Sequence, residues 1–172
     1  RGVPGTHDTK IILKFFTGVK KNKFTKVNVP KFDKSVDDRF SKNKWYKVSS
    51  KPDVIILEGW CVGARAQSTN QIKKPINSLE RTKDYDLKWR KFVNLKLKRE
   101  YIKIFSQLNS LIYLQAKNFK ILQQWRIKQE KKLWLHSKKK KNLKIMSKGD
   151  VINFMQTYQR ITQNMFKDAP KY

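Results

Sequence analysis

The sequence predicts an α/β fold, a parallel sheet with flanking helices, on three observations. Asp53-Val-Ile-Ile-Leu-Glu58-Gly59-Trp60 carries four consecutive apolar residues, the pattern of a strand buried on both faces. Ser110–Leu114 (Ser-Leu-Ile-Tyr-Leu) reads as a second buried strand. Long amphipathic helical patterns lie between and after these runs, and strands alternating with helices make a layered fold around a parallel sheet.

The elements follow in order. Asp8 caps a helix expected over Thr9–Gly18, with Ile11, Ile12, Phe15 and Phe16 at helical spacing and Gly18 as its stop. Lys20–Lys23 is a polar turn. Phe24–Val29 alternates apolar and polar residues up to Pro30, which favours extended backbone before it. Phe32–Tyr46 is charged and aperiodic and reads as a loop. After the Asp53–Trp60 strand, Asp86–Leu108 reads as one long helix with Trp89, Phe92, Val93, Leu97, Tyr101, Ile104 and Phe105 inward. Asn118–Leu135 is another, carrying Phe119, Leu122, Trp125, Gln129 and Leu133, and Lys138–Lys141 breaks the pattern. Ser147 opens the last helix, where Asp150 completes a capping-box-like pair and Val151, Phe154, Met155, Tyr158 and Ile161 form the stripe.

The 172 residues hold 41 Lys and Arg against 13 Asp and Glu, a formal charge of +28. Aromatics make up 12%, including 5 Trp and 10 Phe, which argues against disorder and supplies a core. A single domain over residues 1–172 would bury roughly 70% of its unfolded surface. One cysteine, Cys61, excludes a disulfide framework and fits a reducing cytoplasm. No run approaches the ~18 apolar residues of a membrane span, and no apolar leader is present. The expectation is a soluble cytoplasmic protein. Of the basic residues 8 are Arg and 33 are Lys. That excess favours a solvated lysine surface over a dedicated nucleic-acid face, because readers of nucleic acid use the planar Arg fork. Either way, the field attracts anions.

Four stretches carry residues that are costly for a core to hold. In Arg1-Gly-Val-Pro-Gly-Thr-His-Asp8 a tight turn delivers polar groups to a helix start, where free N–H groups favour an anion; Asp8 acting as a cap alone is the plainer reading. Pro30-Lys-Phe-Asp-Lys-Ser35 with Asp37-Asp38-Arg39 can position a polyhydroxy acid or a metal, or form surface ion pairs of little energy. Glu58-Gly-Trp-Cys-Val-Gly63 places a carboxylate past a strand end, where open α/β sheets bind ligands and where Glu58 can orient magnesium-bound water or a reacting hydroxyl. In Trp125-Arg-Ile-Lys-Gln-Glu130, Arg126 and Glu130 share a helical face. A helical salt bridge and an Arg that swings over a transferring phosphoryl group are equally open there. Two histidines, His7 and His136, and one cysteine offer no zinc spacing. Neither a G-x-S-x-G elbow nor the G-x-x-x-x-G-K-[ST] phosphate loop occurs.

Taken in order, nine motifs resemble the P-loop kinases related to D-glycerate 3-kinase, in particular their bacterial members of unsettled substrate. They are Arg-Gly-Val-Pro-Gly-Thr-His-Asp (1–8), Pro-Lys-Phe-Asp-Lys-Ser (30–35) with Asp-Asp-Arg (37–39), Ile-Leu-Glu-Gly-Trp-Cys-Val-Gly-Ala-Arg (56–65) and Pro-Ile-Asn-Ser-Leu-Glu (75–80). Trp-Arg-Lys-Phe-Val-Asn (89–94), Trp-Arg-Ile-Lys-Gln-Glu (125–130), Met-Ser (146–147) and Tyr-Gln-Arg-Ile-Thr (158–162) complete the set. The resemblance implies the C-terminal portion of a P-loop kinase (nucleoside triphosphate hydrolase-like) fold, its phosphate-binding loop lying upstream. It implies ATP-dependent phosphoryl transfer, with Mg²⁺, to a hydroxyl of a small acid such as D-glycerate, and no activity from this portion alone. A basic nucleic-acid-binding module is the alternative that the charge suggests. By resemblance, Gly5, Thr6, His7 and Asp8 border the acceptor pocket, and Asp33, Lys34 and Arg39 hold the acceptor acid. Glu58 lies near magnesium and the reacting hydroxyl. Arg126 and Gln129 belong to a lid over the nucleotide phosphates that ends in Lys138–Lys141. Relatives more often carry Arg where this chain has Lys31, which weakens clamping there.

Overall fold

A computed structural model describes residues 2–21, 24–33, 36, 38–137 and 146–168. The chain forms two compact units, Asp8–Glu58 and the combination of Arg1–His7 with Gly59–Tyr172.

The smaller unit opens with α1 (Thr9–Lys20), for which the Asp8 carboxylate accepts the Ile11 N–H at 3.3 Å, the expected N-cap. The helix runs two residues past Gly18, because a single Gly in a good apolar pattern weakens a helix without ending it, and Phe16 and Val19 are buried beneath it. β1 (Val27–Val29) confirms the extended segment before Pro30. The stretch expected to be a loop contains β2 (Phe32–Asp33), β3 (Asp38–Arg39), a 3₁₀ turn at Lys42–Lys44 and the start of β4 (Tyr46–Val48). β1 pairs antiparallel with β4, Val27 opposite Val48, and β2 with β3, Phe32 opposite Arg39. Pairs of two or three residues are too short to show a period in sequence, so cross-chain pairing decides them.

Residues 53–58 are not assigned to a ladder and are not buried on both faces. Val54 and Ile56 are 75% and 88% exposed, Ile55 is less exposed at 40%, and Leu57 is half-buried. That alternation has the period of a strand. The ladders among the described residues are antiparallel two-stranded pairs.

In the larger unit a core of Val3, Cys61, Ala64, Val93, Leu97, Tyr101, Ile161 and Met165 gathers the remaining helices. α2 (Thr69–Lys73) carries a capping box from Ser68 and Gln71, and α3 (Ser78–Lys83) is capped by Asn77. The expected helix over Asp86–Leu108 is interrupted: α4 (Lys88–Lys96) passes through a π-helical turn at Leu97–Tyr101 into α5 (Ile102–Phe105). Its inner face is nevertheless right, with Val93, Leu97, Tyr101 and Ile104 buried, although Trp89 and Phe92 are exposed. Residues 110–114 lack a ladder as well. Leu111 and Tyr113 lie half-buried, while Ile112 and Leu114 are bare, so this run alternates like the first.

α6 (Phe119–Ser137) starts at Asn118, whose side chain accepts the Ile121 N–H, and packs on α7 (Lys148–Asp168). Of the stripe expected on α6, Phe119 is buried whereas Trp125 and Leu133 are exposed. The expected capping box of α7 is present: Ser147 Oγ accepts the Asp150 N–H at 3.1 Å, and the Asp150 carboxylate accepts the Ser147 N–H at 3.1 Å. That carboxyl lies below its usual range, because the Ser147 hydroxyl donates to it. Val151 and Ile161 are buried on α7.

Two arginines lock this unit, Arg90 buried and Arg160 half-buried. Glu80 receives a forked pair from Arg160 on α7, Nε at 2.7 Å and Nη2 at 2.6 Å, and Arg160 also donates to the Gln71 and Lys74 carbonyls. Arg90 on α4 meets Asp84 at 2.7 Å, donates to the Ile72 carbonyl, and lies 3.7 Å from Glu80. No helix among the described residues is long and apolar enough to cross a membrane.

Candidate active site

The residues singled out from sequence gather in three places, each inside one unit. In the larger unit, the turn at residues 2–7 holds Gly5, Thr6 and His7. Gly5 sits at φ +105°, and a Cβ there would stand 2.5 Å from the Phe92 ring, so the position demands glycine. Thr6 closes the turn through its N–H and hydroxyl, both donated to the Val3 carbonyl at 3.1 and 2.8 Å. The Tyr101 hydroxyl accepts the Gly5 N–H at 3.1 Å and lies 2.5 Å from His7 Nδ1. Partial burial holds the His7 pKa below its ordinary value. Trp60 serves this turn too: its indole N–H donates to the Gly2 carbonyl at 3.1 Å, and its ring meets Tyr158 edge-on.

In the smaller unit, Asp8 does more than cap α1. Its second carboxylate oxygen accepts from Arg39 Nη1 at 3.3 Å, with both side chains exposed. Asp33 stands opposite Asp38 across the β2–β3 pair, and Asp38 accepts the Arg39 N–H at 2.7 Å. Two carboxylates and a guanidinium thus flank one hairpin end. Lys31 lies over the Phe40 and Tyr46 rings at 5.2 and 5.4 Å, a cation–π seat that occupies the position where the resemblance expects Arg. Lys34 lies outside the described residues, as does Lys138–Lys141. Glu58 is exposed at the end of this unit.

The third place is on α6. Arg126 donates from Nη1 to Gln129 Oε1 at 3.2 Å and pairs through Nη2 with Glu130. Glu130 is buried and also accepts the Met146 N–H, so it anchors the segment leading into α7. The Arg126 charge is felt at Tyr158, whose pKa rises through burial and is partly drawn back by that guanidinium.

The second and third places each present a guanidinium held by a carboxylate and partly open to an anion. Glu80, Arg90 and Arg160 lie inside the quoted motifs without a role drawn from the sequence, and Tyr101 is predicted as a core residue of the long helix, with no role for its hydroxyl. A buried Arg has no signature of its own, since most are exposed. Among the described residues no three His, Cys, Asp or Glu side chains cluster as a metal cage. Magnesium does not require one: it is held by one or two carboxylates together with phosphate oxygens and water. A single exposed Glu58 fits that donor set.

The chain is a mixed α/β protein with small antiparallel ladders. No family model matches it. Among curated proteins it is 30% identical over 164 residues to the uncharacterized kinase mug58 of Schizosaccharomyces pombe, covering 92% of this chain and 56% of that one. Among solved structures, D-glycerate 3-kinase from Cryptococcus neoformans superposes with a TM-score of 0.70 at 21% identity, over 98% of this chain and 59% of that chain; at that identity the likeness is one of fold. The YGR205w protein superposes with a TM-score of 0.69 at 27% identity, over 98% and 56%. The resemblance carried by the motifs is borne out. The chain is similar along nearly all of its length to an uncharacterized kinase and, in fold, to D-glycerate 3-kinase and the YGR205w protein, and it spans little more than half the length of each.

Proposed function

We propose that the chain is the C-terminal, acceptor-and-lid portion of an ATP-dependent P-loop kinase that phosphorylates a hydroxyl of a small acid such as D-glycerate. The observation that carries this reading is the nearly complete coverage of the chain by proteins named kinases. In the reaction the acceptor oxygen forms a bond to the γ-phosphorus, the bond from that phosphorus to the bridging oxygen of ADP breaks, and the hydroxyl hydrogen leaves as a proton. Such transfer is mostly positioning and electrostatics. Arg39, held at the hairpin end by Asp8, meets the carboxylate of the acceptor, a role that the resemblance shares among Asp33, Lys34 and Arg39. Gly5, Thr6, His7 and Asp8 border the acceptor pocket. Glu58 accepts from the reacting hydroxyl or donates an oxygen to Mg²⁺. Arg126, oriented by Gln129 and Glu130, turns to the phosphates, whose higher charge competes with one carboxylate. ATP and Mg²⁺ supply the phosphoryl group and neutralise its charge.

The bare, alternating runs at 53–58 and 110–114 support the portion reading. Val54, Ile56, Ile112 and Leu114 are strand-patterned apolar residues left in water. Central strands of a parallel sheet carry such faces when covered on both sides. We therefore expect the phosphate loop and its sheet strands to be encoded upstream, in a single kinase domain that includes residues 1–172. Sequencing the gene upstream of Arg1 tests this. A G-x-x-x-x-G-K-[ST] loop roughly a hundred residues earlier is the expected result, and an intact upstream region without it defeats the kinase reading. Acceptor-dependent ADP release should appear with the complete protein and be missing from the 172-residue chain alone.

A further inference from the structure

One phenol fastens the 2–7 turn to the core of the larger unit. Tyr101 ends the π-helical turn that interrupts the long helix, a geometry that recurs at functional sites. Its ring is buried, edge-on to both Phe105 and His7, and its oxygen stands between two partners of the turn. The Gly5 N–H can only donate, so the phenol oxygen accepts there at 3.1 Å. Its one O–H is then free to donate to His7 Nδ1, 2.5 Å away, whereas a proton on Nδ1 would require the same oxygen to accept twice; the first arrangement is the one taken here. A neutral imidazole whose Nδ1 accepts carries its proton on Nε2.

We propose that Tyr101 is the positioning residue of His7, fixing the ring as the neutral tautomer with its proton on Nε2, so that His7 is a hydrogen-bond donor to an acceptor oxygen and not a base. The catalytic consequence rests on the acceptor-pocket reading of residues 5–8; the tautomer does not. The surroundings agree with a neutral ring. Lys96 and Glu100, the charged neighbours on the helix, are paired with each other. The Cys61 thiol in the same core is pushed up to about 11 by burial and stays protonated. Partial burial disfavours the imidazolium as well. With both nitrogens committed, His7 cannot take the proton of the attacking hydroxyl, which leaves that task to a carboxylate.

The test uses the complete protein labelled with ¹⁵N-histidine, the His7 signal being assigned by its disappearance in His7→Asn. At neutral pH the expected spectrum shows an unprotonated Nδ1 and a protonated Nε2, and Tyr101→Phe, which keeps the packing, shifts both signals toward a tautomer mixture. A protonated ring, a proton on Nδ1, or signals that Tyr101→Phe leaves unmoved would overturn the assignment. In steady-state assays Tyr101→Phe should raise KM for the acceptor several-fold while kcat stays within about twofold. Equal loss of kcat at unchanged KM would contradict the donor role. Should the unaltered protein phosphorylate no hydroxy acid, the kinase reading falls, and the ¹⁵N signals alone decide the tautomer.

Discussion

The Arg160–Glu80 pair and the Arg39–Asp8 pair use the same chemistry and do different work. Glu80 is buried, faces two guanidinium groups and leaves no buried polar side-chain atom orphaned among the described residues. It locks α3, α4 and α7 together and has nothing to offer a ligand. The Arg39–Asp8 pair is exposed on both sides, a single contact at 3.3 Å, and an incoming carboxylate can compete for it. The Arg126–Glu130 pair lies between the extremes, its carboxylate buried and its guanidinium partly open. Burial therefore sorts the charged residues of one set of motifs into scaffold and candidate machinery. Motif membership alone does not.

The largest effect is expected where burial is deepest. Glu80→Ala strands the Arg160 and Arg90 charges, and chemical denaturation of the complete protein should show a loss of about 3–5 kcal/mol, as for a broken buried pair. A loss within 0.5 kcal/mol would erase the distinction between the two pairs. Arg126→Gln should lower kcat by about 10²–10³, the scale of one removed charge-stabilising donor, with a smaller fall in the denaturation midpoint than Glu80→Ala, because Glu130 keeps the Met146 N–H. A large fall in midpoint without a kinetic effect would class it with Glu80. Arg39→Ala should change stability by under about 1 kcal/mol and raise the acceptor KM roughly tenfold, the equivalent of about 1.4 kcal/mol.

The smallest effect is one of pH. Burial keeps the folded-state pKa of His7 below the usual value near 6.5, so as pH falls the unfolded chain takes up the proton first. Stability then rises with pH in that window. Its His7 contribution is complete above about pH 6.5 and is lost as acidification reaches the folded-state pKa. Melting temperatures between pH 5 and 8 should therefore slope less in His7→Asn than in the unaltered protein.

Local signals were legible in the sequence and tertiary ones were not. Asp8, Asn118 and the Ser147–Asp150 box start helices where expected, because caps satisfy orphan backbone groups through neighbours in the chain. The inner residues Val93, Leu97, Tyr101 and Ile104 followed from periodicity, but the π-helical turn among them did not, since one shifted hydrogen bond leaves no trace in composition. The β2–β3 pair was hidden because two-residue strands carry no period. The sequence predicts buried strands at Asp53–Trp60, covered on both faces, and at Ser110–Leu114. They keep the alternation of strands, but their outer faces are bare, because what covers a face is a property of neighbours. Of the candidate site, the Asp8–Arg39 contact joins two stretches singled out independently, whereas Tyr101 was placed in the core stripe and its hydroxyl passed over.

The most direct measurement follows label from [γ-³²P]ATP in the complete protein with Mg²⁺ and D-glycerate or a related hydroxy acid. The label should pass to the organic acid in the unaltered protein and fall by orders of magnitude in Glu58→Gln and Arg126→Gln. Label that stays in ATP or appears only as inorganic phosphate with every acid tried, or transfer indifferent to both substitutions, would contradict the account.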